Sequence, residues 1–286
     1  EVPDNGAEPG ATNQRITFRT IDTSQQFSGS ASPYFSNGTD RIHGADIVLN
    51  LKGMQARIDN NGFFDWPPYV TLHEILHAIG LSHRGDYNGS GYNYEDHAQF
   101  QQDTRQYSVM SYWDAAKTGA NHFIGTVQHV SQTPLLYDIL ALQKLYGANM
   151  STRTGDTVYG FHSNTGASPF NFVANPAPVI AIWDAGGRDA LDFSGWSGPS
   201  VIDLNEGAFS SGGGLTKNVA IALSAGTLCH CIVFVPNLLG ETNNISIFMS
   251  QIAITISVSS GTSTSTVLQR TVRMARPSSA PATSSS

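Results

Sequence analysis

The stretch PPYVTLHEILHAIGLSH, from Pro67 to His83, leaves little freedom in local structure. Two consecutive prolines suit the first turn of a helix, and Leu72, Ile75, Leu76 and Ile79 recur at steps of three and four, so the spacing predicts a helix starting near Pro68. Gly80 is placed to end that helix in a left-handed conformation. On such a helix, residues four apart share a face about 6 Å apart, so His73 and His77 aim at one point. Glu74 lies about 100° further round; it misses that point and can reach a water beside it, the position of a general base. The turn at Gly80 lets His83 return as a third imidazole, which leaves one coordination position open, as a catalytic zinc site requires. From the chain's own residue frequencies, these five positions coincide by accident with a probability on the order of 10⁻⁵.

Composition narrows the remaining classes. The 286 residues, 40% of them hydrophobic, suffice to bury a core. No apolar run approaches the roughly 18 residues of a membrane span. The 15 Lys and Arg stand against 22 Asp and Glu with no basic cluster, so neither nucleic acid nor a membrane is an expected partner. The 28 glycines, with many Asn, Asp, Ser and Thr, describe a turn-rich chain whose oxygens suit hard cations. That character stops near residue 217, beyond which only Glu241, Arg270, Arg273 and Arg276 carry charge. Cys229 and Cys231 sit too close for an unstrained bridge, which excludes a disulfide-stapled fold. The opening EVPDNGAEPG is acidic and does not read as a signal peptide.

Along the chain, a loose arm over the first ten residues precedes expected strands at Ile16 to Asp22, in SPYFS and at Gly44 to Gly53. From Ser82 to Gln106 the chain reads as irregular. A second helix is marked by Thr133 as N-cap, Pro134 at the first position, a stripe of Leu135, Leu136, Ile139, Leu140, Leu142 and Leu145, and Gly147 as the stop. Beyond it FNFV, VIAIWD, ALDFSG and SVIDLN alternate with turns, an all-β pattern. His43, His97, His122, His129 and His162 stand at no ligand spacing and read as surface or satisfied polar residues, though His122 and His129 are near enough in sequence to border the cleft.

The signature from His73 to His83 resembles the metzincin clan of zinc endopeptidases, which also carry a downstream methionine turn. YSVMSYW, Tyr107 to Trp113, supplies it, with Met110 as an apolar floor beneath the histidines. The Met-Ser-Tyr run is similar to the serralysins, as are LSHRGDYN, PLLYDILALQKLYGAN, TRTGDTVYGFHSNT, WDAGGRDALDFSGWS and VIDLNEG, over roughly Tyr69 to Ala222. The resemblance implies zinc held by His73, His77, His83 and Tyr112, with Glu74 as base and Tyr112 able to leave the metal and hydrogen-bond the oxyanion. It also implies calcium bound by oxygens of Arg153, Gly155, Thr157, Asp184, Gly186, Gly187 and Asp189; from spacing alone, the Asp and Gly run at 184–189 is equally an ordinary turn.

The expected fold is α+β: a metzincin-like catalytic domain over 1–147, with a mixed sheet, active-site helix and C-terminal helix, then the start of an all-β calcium-binding domain over 148–222. In the family, GGxGxD repeats forming a calcium-binding β-roll follow. Here the segment 223–286 has none and ends in a Ser/Thr/Pro-rich stretch expected to be disordered. A reading-frame shift near codon 223 is the explanation this suggests. The 68 residues before the zinc helix are also fewer than such domains carry, so the chain is expected to be truncated or altered at both ends. The implied function is that of a secreted, extracellular, monomeric, broad-specificity zinc endopeptidase acting on proteins and peptides, with a proteinaceous inhibitor as a further partner. The competing reading is a catalytically impaired zinc-binding relic or fragment.

Overall fold

The computed structural model describes residues 15–25, 27–36, 41–61 and 63–223, and the backbone of strands at 230–235, 245–248 and 256–258. The N-terminal arm, the cysteine side chains and the Ser/Thr/Pro-rich terminus lie outside the described residues. Strand β1 (Arg15–Ile21) runs parallel to β3 (Ile42–Asn50), while β2 (Gly29–Phe35), which contains SPYF, pairs antiparallel on the other side of β3. That order leaves β2 at a sheet edge. Asn50, fully buried, fixes the loop leading into it: its amide donates to the carbonyls of Gln25 (3.0 Å) and Phe27 (2.9 Å), and its Oδ1 accepts the Thr23 N–H.

The strand expected to reach Gly53 stops three residues earlier, because Leu51–Asn61 forms helix α1. Met54 and Ile58 turn toward the core, at helical spacing from Leu51. Gly53 sits inside this helix because a Cβ there would lie 2.0 Å from the Phe27 carbonyl oxygen. After the short strand β4 (Phe63–Phe64) comes the histidine-bearing helix α2 (Trp66–Ala78), with Pro67 and Pro68 in its first turn and Asp65 in a left-handed conformation ahead of it. Trp66, Tyr69, Val70, His73 and Leu76 are buried on it, and Ile75 and Ala78 pack with Ala31, Ala45, Ile47 and Leu49 of β2 and β3. Gly80, at φ +101°, closes the helix in a Schellman turn: Leu81 N–H donates to Leu76 O at 2.9 Å and Gly80 N–H to His77 O at 3.0 Å.

The irregular run contains one short helix, α3 (Tyr94–His97), capped by Asn93. Strands β5 (Phe123–Ile124) and β6 (Val127–His129) join β4 in a small sheet. Helix α4 (Leu136–Tyr146) begins two residues later than Thr133 and Pro134 suggest; Thr133 instead accepts the Ala181 N–H at 2.9 Å. Leu135 and Leu136 are buried and Ile139 and Leu142 pack on the core, whereas Leu140 and Leu145 of the expected stripe face solvent.

Beyond α4 come β7 (Val158–Gly160), β8 (Ile180–Ile182), β9 (Arg188–Asp192), β10 (Ser200–Asp203), β11 (Phe209–Ser210) and β12 (Val219–Ile221). FNFV is not a strand. It ends a 3₁₀ turn, with Phe170 and Phe172 buried and Asn171 Oδ1 accepting the Val173 N–H at 3.0 Å, so its apolar alternation comes from a turn. Strand β13 (His230–Val235) continues the sheet parallel to β9. Ala181, Ala220 and Ala222 share one apolar core with Tyr69, Leu76, Met110 and Leu136, so helices and β-rich segment are packed together.

His122 joins the two halves. It is buried and lies on the Lys217 carbonyl at 3.4 Å, beside an Asn121–Thr216 bridge, and it does not line the cleft described below. Burial pushes its imidazole down to about 4. Unfolded, it takes a proton near pH ~6.5, so its contribution to stability is complete above that value and is lost as the pH falls toward 4. His122→Gln, which keeps a donor for Lys217 without titrating, should remove up to about 3 kcal/mol of the acid-induced loss. Thermal unfolding in chelator between pH 7 and 4.5 measures this, and an unchanged pH profile would refute it.

Candidate metal centre

Helix α2 presents His73 and His77 one turn apart, and the Schellman turn brings His83 back to them. The Nε2 atom of His83 lies 3.2 Å from that of His73 and 3.1 Å from that of His77. Each Nδ1 faces a backbone carbonyl: His73 that of Val109 (2.9 Å), His77 that of Leu81 (2.7 Å) and His83 that of Tyr87 (2.8 Å). A carbonyl only accepts, so each Nδ1 is the protonated nitrogen and each Nε2 turns a lone pair toward the other two. Burial keeps the rings neutral: it pushes His73 down to about 3, His83 to about 4, and His77 down as well. Three converging lone pairs repel one another unless a cation sits between them. Nitrogens bound tetrahedrally at 2.0–2.1 Å are about 3.3 Å apart, close to the spacings here, so the donor set fits zinc.

Glu74 is buried on the cleft wall, and desolvation raises its carboxyl to about 7. It faces the edge strand, where Gly29 leaves it room: a Cβ on Gly29 would lie 2.8 Å from the Glu74 Cγ. Tyr112 packs with its ring centroid 4.5 Å from that of His83, and its hydroxyl accepts the Gly89 N–H at 3.5 Å. The cleft, about 440 Å³, is lined by His73, Glu74, His77, His83 and Tyr112 on one side and by Gly29, Ala31 and Pro33 of β2 on the other. All five residues predicted for the zinc site are therefore together. Met110 is fully buried in the core, and the residue before it supplies the carbonyl that holds His73.

Asp138 is the residue that sequence reasoning missed. Wholly buried in the first turn of α4, it accepts from Ser108 Oγ (2.6 Å), Val109 N (2.8 Å) and Leu135 N (2.9 Å), and pairs with Arg84 (3.3 Å). It thus ties the methionine turn and the residue after His83 to one helix end. Burial raises its carboxyl, and these donors pull it back. The sequence offered no clear signal for it, since with Thr133 read as the N-cap Asp138 is only an acid in the first turns of a helix. The structure moves the cap to Leu135 and makes Asp138 its capping acid.

The loops bearing the calcium candidates face each other. Thr157 N–H donates to Asp189 Oδ1 at 3.0 Å, Gly186 N–H to Asp184 Oδ1 at 2.9 Å, and Thr157 Oγ1 to the Gly155 carbonyl at 3.0 Å. Gly187, at φ +114°, lies so close to Gly155 that a Cβ would sit 2.4 Å from its oxygen. Arg153 bonds the Trp183 carbonyl and lies 3.9 Å from Asp184. Burial, with Asp184 and Asp156 nearby, raises Asp189 to about 6, a crowding of carboxylates that a cation would relieve.

Residues 148–253 match the family model for the Peptidase M10 serralysin C terminal, a match that runs past residue 222. The chain is 44% identical over 224 residues to Metallopeptidase AprA of Pseudomonas marginalis, covering 72% of this chain and 46% of that one. It is 50% identical over 171 residues to Serralysin B of Dickeya chrysanthemi (59% and 35% covered) and 51% over 158 residues to Serralysin of Proteus mirabilis (54% and 31%). The chain is a relative of the serralysin-type metalloproteases. It spans between about a third and a half of the length of these relatives.

Asp138→Ala would leave three buried donors and the half-buried Arg84 without their acceptor, and should cost about 3–5 kcal/mol. Denaturant unfolding in chelator reads this directly; a loss below about 1 kcal/mol would remove Asp138 from the centre of the network.

Proposed function

We propose that the chain is the zinc-dependent endopeptidase part of a secreted serralysin-type protease, cutting extended polypeptides with broad specificity. What carries the reading is the convergence of three Nε2 lone pairs beside a buried carboxylate in a cleft walled by β2, an edge strand among the described residues. His73, His77 and His83 would hold the metal, with Tyr112 as a fourth, releasable ligand. A bound zinc ion supplies Lewis-acid polarisation of the scissile carbonyl and acidifies water. Glu74 takes the proton from the attacking water and delivers it to the leaving amine, a task suited to a base whose carboxyl stands near 7. Tyr112, on the same cleft wall, would donate its hydroxyl to the oxyanion. The outer edge of β2 offers backbone groups to an extended substrate, and Gly29 brings that edge against Glu74. The catalytic unit we place over 1–147 as a metzincin-like domain, followed by a β-rich calcium-binding segment. There Arg153, Gly155, Thr157, Asp184, Gly186, Gly187 and Asp189 would enclose calcium.

Glu74→Ala should bind zinc at full stoichiometry while losing ~10²–10⁴-fold in cleavage of denatured casein. Zinc binding by the unaltered chain without Glu74-dependent cleavage would instead identify a non-catalytic relic. Calcium should raise the Tm of the unaltered chain and not of Asp189→Ala; equal gains in both would place calcium elsewhere.

A further inference from the structure

The two helical ligands need no external alignment beyond a carbonyl each, but His83 comes from a segment with no regular structure. Tyr87 is what holds it. The two rings stack at 5.4 Å with an interplanar angle of 15°, and the Tyr87 carbonyl accepts His83 Nδ1–H at 2.8 Å, so one residue fixes both the plane and the tautomer of the imidazole. Tyr87 is itself immobilised. Only 3% exposed, it donates its hydroxyl to Asp103 Oδ1 at 2.9 Å, and the opposite oxygen of Asp103 accepts Trp113 Nε1–H at 3.3 Å. Asp103 is 0% exposed, and the Trp113 ring closes on Tyr87 edge-on at 5.0 Å. Through Asp103 and Trp113 the Tyr87 hydroxyl therefore links the third histidine to the exit of the methionine turn.

We propose that Tyr87 and Asp103 are positioning residues for the third zinc ligand: the buried hydroxyl–carboxylate bond sets the Tyr87 ring and carbonyl, and these set His83 for the metal. The proposal rests on the zinc reading above. A buried Tyr–Asp pair of purely structural use would stabilise the chain without regard to His83; a positioning pair acts through His83 alone. Its effect on zinc affinity must therefore disappear when His83 is absent.

Zinc affinity measured by competition with a chromophoric chelator, in the full chain, separates the cases. Tyr87→Phe keeps the stacking ring and should weaken zinc about 10-fold, in the range of lost outer-shell partners. In a His83→Ala background the same change should alter affinity less than about twofold. Asp103→Asn, which keeps an acceptor for the hydroxyl, should weaken zinc less than Asp103→Ala. A readout without metal is the ¹⁵N shifts of the imidazoles in chelator: His83 should move from the Nδ1–H tautomer toward a mixture in Tyr87→Phe, with His77 unmoved. An equal loss of affinity in both backgrounds, or an unchanged His83 tautomer, would overturn the positioning role while leaving the zinc site intact. Failure of the unaltered chain to bind zinc would overturn the zinc reading and this proposal together.

Discussion

Three imidazole lone pairs directed at one another is an arrangement that repels, and the surrounding structure is organised to enforce it. Rotation of any one ring would relieve the repulsion, so each Nδ1 is fixed to a carbonyl, and the three carbonyls come from different places: the Schellman turn at Leu81, the methionine turn at Val109 and the loop at Tyr87. The orientation of α2 against the methionine turn is fixed further by Tyr69, whose hydroxyl donates to the same Val109 carbonyl at 3.0 Å. Burial serves the same end, because desolvation penalises the imidazolium and keeps all three rings in the ligand form. The molecule thus holds the geometry and protonation of a cation site through its own backbone.

The parts legible in the sequence are those set by local periodicity. The placement of His73 and His77 follows from a four-residue step on a helix, and the return of His83 follows from Gly80, whose positive φ is built into a hydrogen-bonded turn. The parts not legible depend on contacts across the fold. Gly53 looked like the end of a strand because nothing local reveals the Phe27 carbonyl against it; it is an interior residue of α1. FNFV showed strand alternation, yet its phenylalanines anchor a turn in an aromatic cluster with Phe193 and Trp196. Asp138 and Asp103 were invisible for the same reason: a carboxylate in a polar loop or a first helical turn is ordinary, and only burial with several donors distinguishes it.

The β-rich segment is not an appendage of the helical part. Ala181 and Ala220 lie in the core that also holds Leu76 and Met110, Thr133 accepts a hydrogen bond from β8, and Lys217 reaches the Thr118 carbonyl at 3.1 Å. Asp184 lies in the loop between β8 and β9 and Asp189 in β9 itself, so relief of their crowding would stabilise a segment whose strand β8 shares the core beneath the histidine site. Stabilisation of this segment would reach the histidine cluster with no moving part, through a shared core that unfolds together.

The strongest constraint falls on the least regular segment. Ordering a loop residue costs roughly 1–2 kcal/mol of backbone entropy, and the chain from His83 to Gly91 carries Gly85, Gly89 and Gly91. Arg84 bonds Asp138 and Tyr87 bonds Asp103, so the loop after His83 is anchored on both sides of Gly85 and Asp86 by carboxylates wholly removed from water. In such surroundings a hydrogen bond is electrostatically stronger than in solvent, and its loss is correspondingly costly. A helix supplies alignment through its backbone periodicity; a loop has to obtain it from buried partners. That difference explains why two buried acids cluster around the one histidine that the helix does not carry.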